Sequence, residues 1–190
     1  MLQPNNPELV QKIENFVTGE GATATKLFDA SKMKLHSEVR DMCAADKCNQ
    51  YGKNWQCPPA IGDLQEWEER LRDWPIGLLI QLCWDLDNES DIDAMMVGSE
   101  KMKSIINKVA TRFREERDDY LPLTAGSCSL CKTCTYPNEP CRYPELAIPS
   151  LESIGLLVSD VCKLAGLPYN NGPLTITFSS AILFKGEITN

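Results

Sequence analysis

The sequence lacks a long apolar run: its longest strongly apolar stretch, Ile76 to Leu82, is far too short to cross a bilayer. The opening residues, Met1 to Pro7, lack the basic and apolar regions of a secretion signal. Positive charge is scarce too. Lys and Arg number 19 against 27 Asp and Glu, a net charge of -8, so long-range electrostatics repels phosphate backbones and anionic lipid. These absences argue against nucleic acid and membrane surfaces as partners and make a cytoplasmic protein the simplest expectation. No repeat, low-complexity tract or Ser/Gly-rich linker divides the chain, so a single domain over residues 1–190 is expected. Nor is there a Gly-rich phosphate loop, and no carboxylate pair or nucleophile–base pair stands out, which leaves general acid–base chemistry without assignable residues.

What is present is an ordinary globular composition, 43% hydrophobic and 24% charged, with nine cysteines that the fold does not need. A chain of this length buries roughly 70% of the surface its unfolded form exposes. Reducing cytosol disfavours stable disulfides, the count is odd, and the cysteine fraction lies below the ~8–10% of small disulfide scaffolds. Metal ligation is the better default.

Periodicity places these cysteines in loops of an α+β fold, a mostly antiparallel sheet backed by helices, with two cysteine-rich cluster-binding loops. Leu9, Ile13, Phe16 and Val17 recur at helical spacing after Pro7 and stop at Gly19. Residues 24–39 alternate loosely, predicting one or two strands. Asp63 and Glu66 form a capping pattern for a helix through Leu71, and Ile76 to Trp84 reads as a buried strand. Ser90 opens a long helix bearing Met102, Ile105, Ile106 and Val109, Leu121 to Ala125 suggests a strand, and Ser150 caps a helix through Ala165 with Gly166 as its stop. Thr175 to Lys185 is expected to form a hairpin turning at Ser179-Ser180.

The most specific signal is Cys128-Ser-Leu-Cys131-Lys-Thr-Cys134, followed by Cys141 between Pro140 and Pro144. Two successive two-residue gaps aim three thiolates at one cluster, and ferredoxin-type loops use this spacing before a fourth cysteine. Four-cysteine zinc also tolerates such gaps, but it more often pairs two separated knuckles, so one or two 4Fe-4S clusters are favoured with zinc as the alternative. The second constellation, Cys43, Cys48 and Cys57, is irregularly spaced and lacks an evident fourth ligand. It suffices for a cluster with one iron open, or for a site completed from elsewhere. The only histidine, His36, is one candidate to complete it as zinc. Lys53, Arg142 and Arg40 flank ligands as candidate charged neighbours of the cofactor, Tyr51 and Trp55 as covers against water. Both loops are expected to run into helix starts, at Asp63 and Ser150, where a helix N-terminus favours an anionic cluster. Cys83, in a strand, and Cys162, in a helix, read as small buried hydrophobes.

Tyr51-Gly-Lys-Asn-Trp-x-Cys57-Pro-Pro, Cys128-x2-Cys131-x2-Cys134-Thr-Tyr-Pro-x-x-Pro-Cys141-Arg and Gly166-Leu-Pro-Tyr resemble the blocks of a cysteine-rich family of predicted metal-binding proteins of unknown function, widespread in anaerobic microbes. The resemblance implies metal binding by Cys43, Cys48, Cys57, Cys128, Cys131, Cys134 and Cys141, and an anaerobic setting. It brings no reaction.

Three functions follow as expectations: electron transfer to a protein redox partner, an enzyme that binds substrate at an open iron, and a zinc-stapled binding module whose acidic surface meets a basic partner.

Overall fold

In the computed structural model, which describes residues 1–189, chain order runs β1 (Leu2–Pro4), α1 (Pro7–Gly19), β2 (Ala24–Asp29), α2 (Ser37–Ala44), α3 (Leu64–Leu71), β3 (Ile76–Asp85), α4 (Ile92–Arg112), β4 (Tyr120–Leu123), α5 (Val158–Ala165), β5 (Thr175–Phe184) and β6 (Gly186–Ile188). Short 3-10 turns at Ala30–Lys32 and Arg114–Asp119 follow β2 and α4. The main sheet has the order β2-β3-β5-β4 with every pair antiparallel, and β1 pairs with β6. The α+β fold of antiparallel strands and helices is the one expected from the sequence.

Both faces of the sheet are covered, which explains why β3 is apolar throughout and does not alternate. On one face Ile76, Leu78, Ile80 and Leu82 pack against Leu9, Val10, Ile13 and Val17 of α1 and Met102, Ile105, Ile106 and Val109 of α4. Leu79 points the other way, among Ala181, Leu183, Leu121, Leu123, Val161 and Trp67. Each such fully buried side chain contributes about 1.5–3 kcal/mol. At Gly77 the Phe28 ring occupies the space a Cβ would need, so only glycine lets β2 and β3 close there.

Four local expectations change. Residues 24–39 form one strand, a 3-10 turn capped by Asp29, and then α2, whose buried side chain is Val39. The long helix takes its side-chain cap from Asp91, which accepts from the Ala94 N–H at 3.0 Å, in place of Ser90. The expected hairpin is a single strand: Ser180 pairs with Ile80 and Ser179 with Gln81 inside the sheet. There the Gln81 amide donates to Ser179 Oγ at 3.3 Å and to the Pro168 carbonyl at 2.9 Å, so these two side chains are satisfied in the interior, while Ser180 Oγ is buried without a partner.

The helix expected from Ser150 begins only at Val158. Tertiary hydrogen bonds hold 150–156 as a turn: Thr124 N–H donates to the Pro149 carbonyl at 2.9 Å and Leu151 N–H to the Thr124 carbonyl at 3.1 Å. Gly155 then adopts φ 99°, which no helix accommodates. The second cysteine loop therefore does not run into a helix N-terminus. The first does, since Asp63 and Glu66 cap α3 reciprocally, each bond 2.9 Å.

Candidate metal centre

Cys43 lies in the last turn of α2, Cys48 follows it on the surface, and Cys57 is buried at 7% exposure. The chain between is held by short-range bonds from polar residues. Tyr51 N–H donates to Asp46 Oδ1 at 2.8 Å and Gly52 N–H to the Pro58 carbonyl at 2.8 Å. Buried Asn54 accepts from the Gln56 N–H at 3.0 Å through its side chain. Asp46 and Asn49 take positive φ, a conformation these two residue types tolerate best after glycine. The Trp67 indole, donating to the Ile61 carbonyl at 2.9 Å, ties the end of the loop to α3.

The second loop leaves β4 and returns at Ser150, where a parallel bridge to Thr124 pins its base. Inside it, the Thr135 hydroxyl donates to the Pro140 carbonyl at 2.8 Å, and the Arg142 guanidinium to the Thr133 carbonyl at 2.8 Å. These bonds fold Cys141 back toward the Cys128-Cys131-Cys134 run. All four thiols are free and partly buried.

The two loops meet. The Trp55 indole donates to the Glu139 carbonyl at 3.2 Å, and its ring stands edge-on to Tyr136 at 4.9 Å. Such aromatic contacts are worth about 0.5–1.5 kcal/mol beyond the area they bury. A groove of about 480 Å³ runs over this junction, walled by Trp55, Pro137, Pro140, Cys141 and Pro144.

Electrostatics records the same convergence. Burial pushes the Cys57 thiol up to about 11, against the Asn54 hydrogen bond, and Cys48, Cys43 and Cys128 push it the same way. Cys128 is raised by burial and then, against a hydrogen bond from the Leu130 backbone, by Cys141, Cys131 and Cys134. Burial also raises Cys43, with Cys48 and Glu152 adding and Arg40 opposing. Each loop's thiols thus lie in one another's fields, and Cys57 and Cys128 join the two sets. Mutual repulsion of this kind is relieved by a shared cation, because the ligating form is the thiolate.

Among the described residues no three Cys, His, Asp or Glu side chains are drawn together as the shell of a single ion. A tetrahedral zinc site would hold its sulfurs about 3.8 Å apart, as its ~2.3 Å bonds require. A cluster of several irons, each bound by one thiolate, asks for wider spacing. The donor set, seven free thiols on two loops that meet, has the soft-ligand chemistry that binds such metals.

A model of the DUF2284 family, described as predicted metal-binding protein, matches residues 26–184. The chain belongs to this family. No curated protein and no solved structure matches it. Both cysteine loops of this DUF2284 member lie inside the matched span, and among its described residues no helix is long and apolar enough to cross a membrane.

The remaining candidates divide between the loops and the core. Lys53 Nζ donates to the Asn49 carbonyl at 3.1 Å and lies 3.8 Å from Asp46, so it braces the first loop. Arg142 braces the second by donating to the carbonyl of Thr133, which lies between Cys131 and Cys134. Arg40, half-buried, donates to the Gly62 carbonyl and stands in the field of Cys43, with its Nε buried and unpaired. Tyr51 is exposed, and Trp55 joins the loops. His36, at the N-cap of α2, faces Asp160 at 3.4 Å. Cys162 is buried as expected, beside Gln81, 3.4 Å away, and Ser179, whereas Cys83, near the end of β3, is only half-buried. One residue escaped sequence reasoning: Glu152, whose backbone carbonyl accepts from the Cys43 thiol at 3.9 Å. A glutamate in a Ser-rich turn carries no sequence signal that separates it from surface charge.

Proposed function

We propose that this DUF2284 member is a one-domain iron–sulfur protein with two adjacent centres, passing single electrons to a protein partner. Cys128, Cys131, Cys134 and Cys141 hold one centre, and Cys43, Cys48 and Cys57 hold the other. The observation that carries this reading is the junction of the two loops through Trp55, with Cys57 and Cys128 in each other's field. Two neighbouring sets of thiolates, one opening toward Cys48 at the surface, suit stepwise entry and exit of an electron.

When bound, a four-iron cluster supplies a one-electron acceptor whose potential follows nearby charge, hydrogen bonds and exposure. The chain's own residues do the rest. Arg40 places a positive charge beside Cys43 and favours its thiolate. Trp55 and Tyr136 exclude water from the junction, and the proline-lined groove beside Cys141 offers an apolar seat for a partner. The net charge of -8 steers a basic partner toward it.

Anaerobically purified protein is expected to be brown, to bleach on reduction and to recover on reoxidation. Its reduced form should give the electron paramagnetic resonance of paramagnetic clusters. Colourless protein with stoichiometric zinc and no reversible bleaching would overturn the proposal.

A further inference from the structure

We infer that the free edge of β5, at residues 175–178, is a docking site for an extended segment of a partner protein, rich in Lys or Arg, which adds to the sheet as a further strand. The inference goes beyond the iron–sulfur reading and does not depend on it.

Unequal strand lengths leave the edge open. β5 has ten residues, and β4 follows it only from Phe184 to Ala181 before the chain leaves the sheet at Thr124 for its bridge to Ser150. Residues 175–178 pair with β3 alone, and among the described residues no other backbone hydrogen bond joins them. Alternation along the strands says which groups point outward. The Gln81 carbonyl and the Cys83 N–H both turn toward β2, where they meet Thr23 at 2.8 and 2.9 Å. Leu82 and Trp84 therefore turn their backbone groups toward Phe178 and Ile176. The N–H and C=O of Thr175 and Thr177 then face away from β3 without a partner, and a row of this kind pairs readily with another extended chain. Elsewhere the sheet guards its edges: β2 carries exposed Lys26 and β4 carries Pro122, both obstacles to strand addition. Residues 175–178, Thr-Ile-Thr-Phe, have neither charge nor proline.

The surroundings decide what kind of chain fits. α4 lies over this part of β5, since a Cβ at Gly98 would come within 2.6 Å of the Phe178 ring and 2.9 Å of Trp84. Ile92, Met96 and Lys103 fall on one stripe of α4 at helical spacing. The Lys103 stem lies 3.5 Å from where a Cβ of Gly126 would sit, so the stripe looks along the side of β5 that β4 has left. Ile92 and Met96 are each 62% exposed and make an apolar wall above the open edge. Charge completes the choice. Residues 85–100 hold Asp85, Asp87, Glu89, Asp91, Asp93 and Glu100 without one Lys or Arg, and Asp85 is the partner of Thr175 across the ladder. Lys103 is itself paired with Glu100 at 2.8 Å, and residues 164–184 carry no charge. A second copy of this chain would bring two such acidic ends together. A basic strand neutralises one of them while laying apolar side chains against Ile92 and Met96. It takes up the line that β4 leaves at Thr124 and ends near Gly126, which holds the partner beside the root of the second cysteine loop.

The probe is a short capped peptide of alternating valine and lysine, titrated into the full chain by calorimetry and followed by residue-resolved amide hydrogen exchange, with a valine–glutamate peptide as control. The lysine peptide should bind, more weakly as salt rises, and should slow exchange at the Thr175 and Thr177 amides, while the glutamate peptide should not bind. Thr177→Pro removes an outward N–H at an edge position that tolerates proline, and should abolish binding with the circular dichroism of the sheet unchanged. Reversing two exposed loop charges together, Asp87→Lys with Glu89→Lys, should weaken binding about tenfold and decides the matter even if the proline variant does not fold. No binding of the lysine peptide would overturn the inference, as would binding that leaves the Thr175 and Thr177 amides unprotected or that the charge reversal does not weaken. So would equal binding of the glutamate peptide, or protection of those amides in a self-associated chain without peptide, which makes a second copy the occupant. None of these readouts needs a bound metal, so the inference and the iron–sulfur proposal can fail separately.

Discussion

The sheet and the cysteine loops of this protein are stabilised in different ways. Around β3 and β5 the chain is fixed by apolar burial on two faces, with Leu78, Ile80, Leu79 and Ile182 fully buried. In residues 45–63 and 125–149 the chain is fixed by turns, single side-chain hydrogen bonds and the Trp55–Tyr136 contact, around Cys57 and Cys128, whose thiols burial and neighbouring cysteines make reluctant to ionise. The packing of the sheet draws on no cysteine of the two loops except buried Cys57 at its margin, so the sheet is expected to stand without metal. The loops, on the reading proposed above, take a metal that neutralises their thiolates, so the two regions should respond differently to the same insult.

Cys131→Ala breaks the comparison most sharply. It should abolish the second centre, with loss of its iron and its visible absorbance, while the far-ultraviolet circular dichroism of the sheet persists. Loss of the sheet signal as well would mean that the loops help to hold the core. The reverse experiment is Leu79→Ala, which should cost about 2–5 kcal/mol in denaturant unfolding and leave the metal content of the folded protein unchanged. Gly77→Ala should cost about 1–3 kcal/mol by forcing the Phe28 ring aside, read the same way. Asp63→Ala removes half of the α3 capping box and should cost about 1 kcal/mol.

Acidification sharpens the contrast from the other side. The Cys57 thiol, pushed up to about 11 by burial, carries a proton at neutral pH when unmetallated, so metal uptake must release it. Lower pH favours the protonated thiol and weakens metal binding. Metal affinity measured by chelator competition should fall steadily with pH, before the sheet unfolds. An affinity independent of pH would show that protonated thiols are not what the metal displaces.

The same division decided what was legible in the sequence. The strand from Ile76, the Asp63–Glu66 cap and the helix face of Met102, Ile105, Ile106 and Val109 all follow from local rules, and the structure has them. The regular spacing of Cys128, Cys131 and Cys134 and the family resemblance pointed to metal. Three things were hidden because they depend on partners far away in the chain. Ser179 and Ser180 read as a turn, yet Gln81 and Cys162 receive Ser179 inside the sheet. Ser150 read as a helix cap, but Thr124 captures the residues on either side of it. Glu152 carries no signal in the sequence, and only the approach of α2 gives its carbonyl a thiol neighbour. Periodicity reports what one segment buries. It does not report which two loops will meet.

Iron, acid-labile sulfide and zinc, measured together on wild-type protein purified without oxygen, test the centre of this reading most directly. Iron and sulfide in matching amounts, with little zinc, are the expected result. Zinc without sulfide, or thiols free of any metal, would contradict it.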